Sequence, residues 1–195
     1  MIVITGDIID SNRYNLQNSL DLIDQIVKIT DVYYVTGNHE VATNDVERIK
    51  KELISRGVRV LSNETVTVER AGEAMSLTGI EDPLMGKVAS QMIADSSVPS
   101  DAFTVLLAHR PEDFQAYVDA GIDVTFSGHA HGGQFRIPEI GGFVAPGQGY
   151  FPKYTAGVHE QGQSKLVVSR GLGNSIIPIR LFNLPEIVVV TLKSS

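Results

Sequence analysis

Residues 122–133 read IDVTFSGHAHGG, an apolar run that ends in two imidazoles set among glycines. Three other stretches share this grammar: residues 2–10 read IVITGDIID, residues 32–40 read VYYVTGNHE and residues 103–112 read FTVLLAHRPE. Each opens on β-branched, aromatic or leucine residues, the composition of a buried strand. Each stops at residues able to bind a metal. Between the runs, apolar residues recur at helical spacing: Leu16, Leu20, Ile23 and Val27, then Val46, Ile49 and Leu53, with Gly57 placed to end the second helix. Strand-like segments at 58–61, 65–69 and 75–79 follow, the last two joined by a turn containing Gly72. Residues 84–100 are less regular and predict a helix with a mobile flank. Pro111, Glu112 and Asp113 start a further helix. After Gly128 the chain is rich in Gly, Pro and strand formers, closing on an apolar run at 187–192. The order β-α-β-α-β-β-β-α-β-α-β, then all-β, predicts an α/β protein whose mixed β-sheets pack as a sandwich flanked by helices.

The chain has 195 residues, 43% of them hydrophobic and 20% charged, which suits a single domain over residues 1–195 with a substantial core. Lys and Arg number 16 against 23 Asp and Glu, a formal net charge of -7, which argues against a nucleic-acid binder. The absence of Cys excludes disulfides, thiolate nucleophiles and Cys-ligated zinc or iron–sulfur sites. No apolar stretch reaches the ~18 residues of a membrane span, and residues 1–10 lack a signal-like core. The expectation for the chain as written is a soluble, cytoplasmic protein.

In open α/β sheets, ligands collect at the carboxyl ends of the strands. If the four runs are neighbouring strands, Asp7, Asn38, His109, His129 and His131 converge. Four of the five His residues lie in these strand-end motifs; the fifth, His159, sits in a β-like segment and reads as structural. Taken singly, the motifs are weak: Asp7 and Asp10 can cap a helix, Gly37-Asn38 can make a turn, and His109 can be a hydrogen-bonded core residue. Their common placement at strand ends is what points to a metal centre. Carboxylate, amide oxygen and imidazole together suit Mn, Fe, Zn or Ni better than Ca. A carboxylate such as Asp7 can bridge two ions, and two metals about 3.5–4 Å apart clamp a phosphoryl group and supply a hydroxide nucleophile.

The motifs GDIID, GNHE, the His of LAHRPE and GHAHGG resemble those of the calcineurin-like metallophosphoesterase superfamily, over most of the chain from Gly6 to about Gly133. HRPE, YTAGVH, SRGLGNSIIPIR and PEIVVVTL look like a bacterial branch of membrane-associated phosphoesterases and UDP-diacylglucosamine pyrophosphohydrolases. The resemblance implies a four-layer α/β/β/α fold and a metal-dependent phosphoric ester hydrolase using manganese, with iron or zinc as alternatives. It implies Asp7 as bridging carboxylate, Asn38, His109 and His129 as the rest of one metal site, and His131 on the other. It implies that His39 faces the phosphate and stabilises or protonates the leaving group, held by Asp10. A carboxylate beside an imidazole favours its protonated form, which suits a general acid.

The superfamily also has a D-x-H motif on a strand before GDxxD. This sequence contains none, and it begins five residues before Gly6. The resemblance therefore implies one complete metal site and one incomplete site with only Asp7 and His131, a weak set. The missing strand leaves a sheet edge able to pair with a second chain, so a homodimer or poor solubility is expected. The apolar start at Met1 reads as a strand already under way, as in the carboxyl-terminal part of a longer, membrane-associated enzyme. A natural one-metal variant and a catalytically inactive binding module are the alternatives.

Arg110, Arg136, Arg170 and Arg180 are candidates for substrate contacts, because guanidinium pairs well with phosphate oxygens. Arg170, in the Gly-rich SRGLG turn, is the leading one, followed by Arg110. Residues 141–154, rich in Gly, Pro and aromatics, follow the metal-binding His pair and could line the cleft. The expected substrate is a phosphorylated small molecule or a lipid-linked phosphate or pyrophosphate, the lipid-linked form resting on the branch resemblance. The bond cleaved is a phosphomonoester, phosphodiester or pyrophosphate.

Overall fold

A computed structural model describes residues 1–70, 72–174 and 179–193. Part of SRGLGNSIIPIR, residues 175–178, and Ala71 in the expected hairpin turn lie outside the described residues. The chain opens with β1 (Ile2–Ile4), α1 (Leu16–Ile26), β2 (Val32–Tyr34), α2 (Asn38–Ala42), α3 (Val46–Ser55) and β3 (Arg59–Val60). The three strands form a parallel sheet in the order β1-β2-β3. Helix α1 buries Leu16, Leu20 and Ile23, the stripe that its spacing predicts, and Asn15 caps it by accepting the Asn18 N–H at 3.3 Å. Helix α3 buries Ile49 and Leu53 and ends where Gly57, at φ +90°, turns the chain and the Val58 N–H returns to the Leu53 carbonyl.

The second sheet begins with β4 (Glu64–Arg70) and β5 (Glu73–Gly79), an antiparallel pair whose turn holds Gly72 at φ +86°. Then come α4 (Ala89–Asp95), β6 (Thr104–Leu107), α5 (Phe114–Asp119) and β7 (Val124–Ser127). Four two-residue strands follow: β8 (Arg136–Ile137), β9 (Gly141–Gly142), β10 (Val144–Ala145) and β11 (Gly149–Tyr150). They form two small ribbons, β8 with β9 and β10 with β11. The hairpin β12 (Gly157–Gln161) and β13 (Ser164–Val168) completes a six-stranded sheet ordered β12-β13-β7-β6-β5-β4. Its inner strands β5, β6, β7 and β13 run parallel.

Side-chain alternation builds the layers. In and after β2, Val32 and Tyr34 face α1 and α3, whereas Tyr33 and Val35 face the second sheet. In and after β6, Val105 and Leu107 meet Tyr33, Val35 and Leu61 between the sheets, while Leu106 and Ala108 pack under α4 and α5 with Met92, Phe114 and Tyr117. The result is helix, sheet, sheet, helix, the sandwich of mixed sheets flanked by helices that the sequence predicts.

The helix expected within 84–100 is α4, preceded by the 3-10 turn Pro83–Met85. Two segments differ from the sequence reading. Residues 38–42 make a short helix directly after β2, where the sequence suggests a turn. The apolar run 187–192 forms no strand, and Ile187 and Val189 are 77% and 87% exposed. An apolar run makes a strand only where another edge accepts its N–H and C=O groups, and no described residue pairs with this one. Among the described residues, no helix is long and apolar enough to cross a membrane.

Candidate metal centre

The ends of β1 and β2 are parallel neighbours, and two glycines let them close on each other. Gly6 takes φ +87°, and a Cβ on it would stand 2.5 Å from the Gly37 nitrogen. A Cβ on Gly37 would stand 2.3 Å from Asp7 Oδ1. Asp7 itself adopts a left-handed φ of +54°. The turn is held by Glu40, which is fully buried. Its Oε2 accepts the Asp7 N–H at 2.8 Å and the Gly37 N–H at 2.7 Å, and its Oε1 accepts the Ile9 N–H at 3.3 Å. Asp7 Oδ1 accepts the His39 N–H at 2.9 Å, which fixes the first turn of α2 and with it Asn38.

The other donors come from the second sheet. His109 follows β6 and is buried; its Nδ1 lies 2.6 Å from the Thr5 carbonyl, to which it donates. That bond leaves the Nε2 lone pair aimed at Asp7 Oδ2, 3.1 Å away, and at Asn38 Oδ1, also 3.1 Å away. His129 follows β7 at φ +61°, with its ring edge-on to His109 at 4.7 Å between centroids. Ligand atoms of Asp7, His109 and His129 all lie within 4.8 Å of one another.

These residues fit a divalent ion. Asp7 Oδ2 and both ring nitrogens of His129 are buried without a hydrogen-bond partner among the described residues. Acceptors gathered this closely repel one another unless a cation or proton lies among them. Adjacent donors on an ion at roughly 2.1 Å stand about 3 Å apart, the spacing found around His109 Nε2. In the metal-free chain a proton takes that place. Burial opposes a charge on His109, but the Asp7 carboxylate and the Thr5 carbonyl outweigh it and hold the ring's pKa at about 9. Burial likewise pushes Asp7 up, yet the charge of His109 brings it down to about 2. Burial drives His129 down to about 3 and His131 to about 4, so both rings are neutral donors at neutral pH.

The remaining expected residues lie around this cluster. His131, at φ +47°, stands outside the group of three, and its carbonyl accepts from Asn183 Nδ2 at 2.6 Å. His39 Nδ1 accepts the Ser11 N–H at 3.0 Å and lies 2.9 Å from Ser11 Oγ. Asp10 Oδ1 is 3.6 Å from the same nitrogen and accepts the Asn12 N–H. Arg170 follows β13, the neighbour of β7, and pairs with Glu186 at 3.3 Å. Arg110 is bound at Nε and Nη2 by the fully buried Asp82, at 2.8 and 3.0 Å. His159 Nε2 bonds the Ala156 carbonyl at 3.2 Å, a structural role.

Sequence reasoning missed Glu40, Asp82, Glu112 and Asn183. The position of Glu40, next to His39 in GNHE, was the available signal. Asp82 and Asn183 act across 28 and 52 residues, on Arg110 and His131 respectively, with no local signature. Arg180, rather than Arg170, is the guanidinium whose charge bears on His131.

Comparison with known proteins places this geometry in a family. The calcineurin-like phosphoesterase family model matches residues 1–133. The chain is 31% identical over its whole length to an uncharacterized metallophosphoesterase of Bacillus subtilis, YkuE, and covers 68% of it. It is 27% identical to the phosphodiesterase YaeI of Escherichia coli, over 98% of this chain and 70% of that protein. A transmembrane protein with metallophosphoesterase domain from Bos taurus is 28% identical over 99% of this chain and 46% of its own length. Strand-end donors, buried atoms suited to a cation and a family match over residues 1–133 lead to one conclusion: the chain belongs to the calcineurin-like phosphoesterase family, whose members are metal-dependent phosphoesterases.

Proposed function

We propose that this chain hydrolyses a phosphomonoester, phosphodiester or pyrophosphate bond at a divalent transition-metal centre, with manganese as the preferred ion. The observation that carries the reading is the meeting of Asp7 Oδ2, Asn38 Oδ1, His109 Nε2 and His129, in which Asp7 Oδ2 and both His129 ring nitrogens are buried without a hydrogen-bond partner among the described residues. These four residues would hold one ion. Asp7 and His131 would hold a second, less completely liganded one. Metal ions there would polarise a phosphoryl oxygen and lower the pKa of a water to supply the nucleophile.

The chain's own groups do the rest. Because Nδ1 of His39 accepts from Ser11, the neutral ring carries its proton on Nε2, where it can stabilise or protonate a leaving oxygen. Asp10 Oδ1 stands 3.6 Å from Nδ1, beside the same edge of the ring. Glu40 and the Thr5 carbonyl hold Asp7 and His109 in place before any ligand arrives. Arg170, on the same sheet end as His129, is the arginine proposed to meet substrate phosphate. Arg110, engaged by Asp82, is assigned a supporting role instead. A lipid-linked pyrophosphate is the finer substrate reading, supported by the branch resemblance of HRPE and SRGLGNSIIPIR.

The outer edge of β1 carries no strand among the described residues, which supports pairing of two copies there.

The deciding experiment is hydrolysis of p-nitrophenyl phosphate and its bis-ester with added manganese, comparing the chain with His129→Ala. Activity that the substitution abolishes is the expected result. Bound manganese without hydrolysis would instead identify a binding module on this scaffold.

A further inference from the structure

Three residues beyond His109 stands a carboxylate that the metal donors do not account for. Glu112 lies in the 3-10 turn Pro111–Asp113. Its Oε1 is 3.6 Å from His129 Nε2 and 3.6 Å from Arg110 Nη1. Both of its oxygens are buried and lack a hydrogen-bond partner among the described residues, as do both ring nitrogens of His129. Buried polar groups without partners are costly, and here an orphaned acceptor and an orphaned ring face each other.

The position of Glu112 is built from both sides. Asp82 grips Arg110 through Nε and Nη2, which leaves Nη1 beside Glu112. Thr36 Oγ1 accepts the Asp82 N–H at 3.1 Å, and Tyr117 Oη donates to the Arg110 carbonyl at 2.6 Å, fixing the backbone just before the turn. On the opposite side the chain passes so close that a Cβ on Gly147 would stand 2.2 Å from Glu112 Oε1.

We propose that Glu112 is a positioning residue for His129, accepting the Nε2 proton so that Nδ1 keeps its lone pair for the metal ion. The Asp82–Arg110 pair holds Glu112 in turn. This inference rests on the metal-centre reading above. Metal-binding imidazoles commonly donate their second ring N–H to a carboxylate, which fixes tautomer and orientation and strengthens the donor. The gap of 3.6 Å is longer than a hydrogen bond, so the proposal has the Glu112 carboxylate draw closer to the ring.

The test uses the full chain, titrated with manganese against a competing chelator, together with nitrogen-15 NMR of the histidine rings in the metal-free and zinc-loaded protein. The wild type should show His129 as the Nε2–H tautomer. Glu112→Ala should weaken manganese binding about 10–100-fold and release His129 into a mixture of tautomers. Glu112→Gln, which keeps an acceptor oxygen, should recover most of the affinity and the single tautomer. Gly147→Ala, which displaces the carboxylate without removing it, should resemble Glu112→Ala. Unchanged manganese affinity in Glu112→Ala, or an Nδ1–H tautomer in the wild type, overturns the proposal while leaving the metal centre standing. The wild-type tautomer decides the matter even if a variant fails to fold. Manganese binding that survives His129→Ala overturns the metal-centre reading and this inference with it.

Discussion

At the scale of single residues, Glu40 shows how much of the site is made by groups that never touch a substrate. One buried carboxylate accepts three backbone N–H groups from two strand ends. Glu40→Ala leaves those donors unpaired and should destabilise the chain by about 3 kcal/mol or more, read from the midpoint of urea unfolding. Titration of the histidines sets a second expectation, for the metal-free protein. The folded His109 keeps its proton up to about 9 against 6.5 for an unperturbed ring, so its contribution is complete below 6.5 and is lost as pH rises through 9. His129 and His131, depressed to about 3 and 4, stay neutral when the unfolded chain takes up protons below 6.5, so they lower stability as pH falls. Stability should therefore peak near pH 6.5 and decline on both sides. Replacing His109 with Gln should flatten the alkaline limb. The candidate donors Asp7, Asn38, His109 and His129 were legible as a group because an apolar run ending in a ligand-type residue recurs along the chain. Glu112 was not, since Pro-Glu-Asp after a strand reads equally well as an ordinary helix start.

At the scale of elements, Leu53 lies fully buried on α3 against Val32 and Tyr34 of β2. Leu53→Ala should cost about 2–5 kcal/mol, measured by the same unfolding curve. Most elements were legible from local pattern. Leu16, Leu20 and Ile23 repeat at helical spacing, and Gly57 permits the left-handed turn that ends α3. Helix α2 was hidden because the carboxylate that receives its second backbone N–H group, on His39, comes from Asp7, 32 residues earlier, while Gly37-Asn38 locally reads as a turn. The run 187–192 misled in the opposite direction. Its unbroken run of β-branched residues is that of a buried strand, yet strand formation is a property of pairs of edges, and a sequence pattern records only one of them. The strands β8–β11, two residues each, are too short to leave a periodicity.

At the scale of the whole molecule, the candidate metal centre lies where two sheets meet. Asp7 and Asn38 follow strands of the first sheet, His109 and His129 strands of the second. An ion bound by all four would fasten the two halves together. At a hundredfold excess over its dissociation constant, manganese should add about 2.7 kcal/mol of stability, and chelation should lower the thermal midpoint by roughly 5–10 °C in a chain of this size. The open edge of β1 gives a separate expectation. Sedimentation should find a dimer, and Val3→Pro should disperse it, because Ile2 and Ile4 bond β2 while the Val3 N–H faces outward. A monodisperse wild-type monomer would refute that pairing. One further property follows from the divided carboxylate of Asp7, whose Oδ2 faces the metal position while Oδ1 receives the His39 amide. Electron density drawn toward a cation at one oxygen is withdrawn from the other. The amide resonance of His39 is thus a built-in gauge of occupancy, which should shift upfield as metal is added, with no label placed in the site.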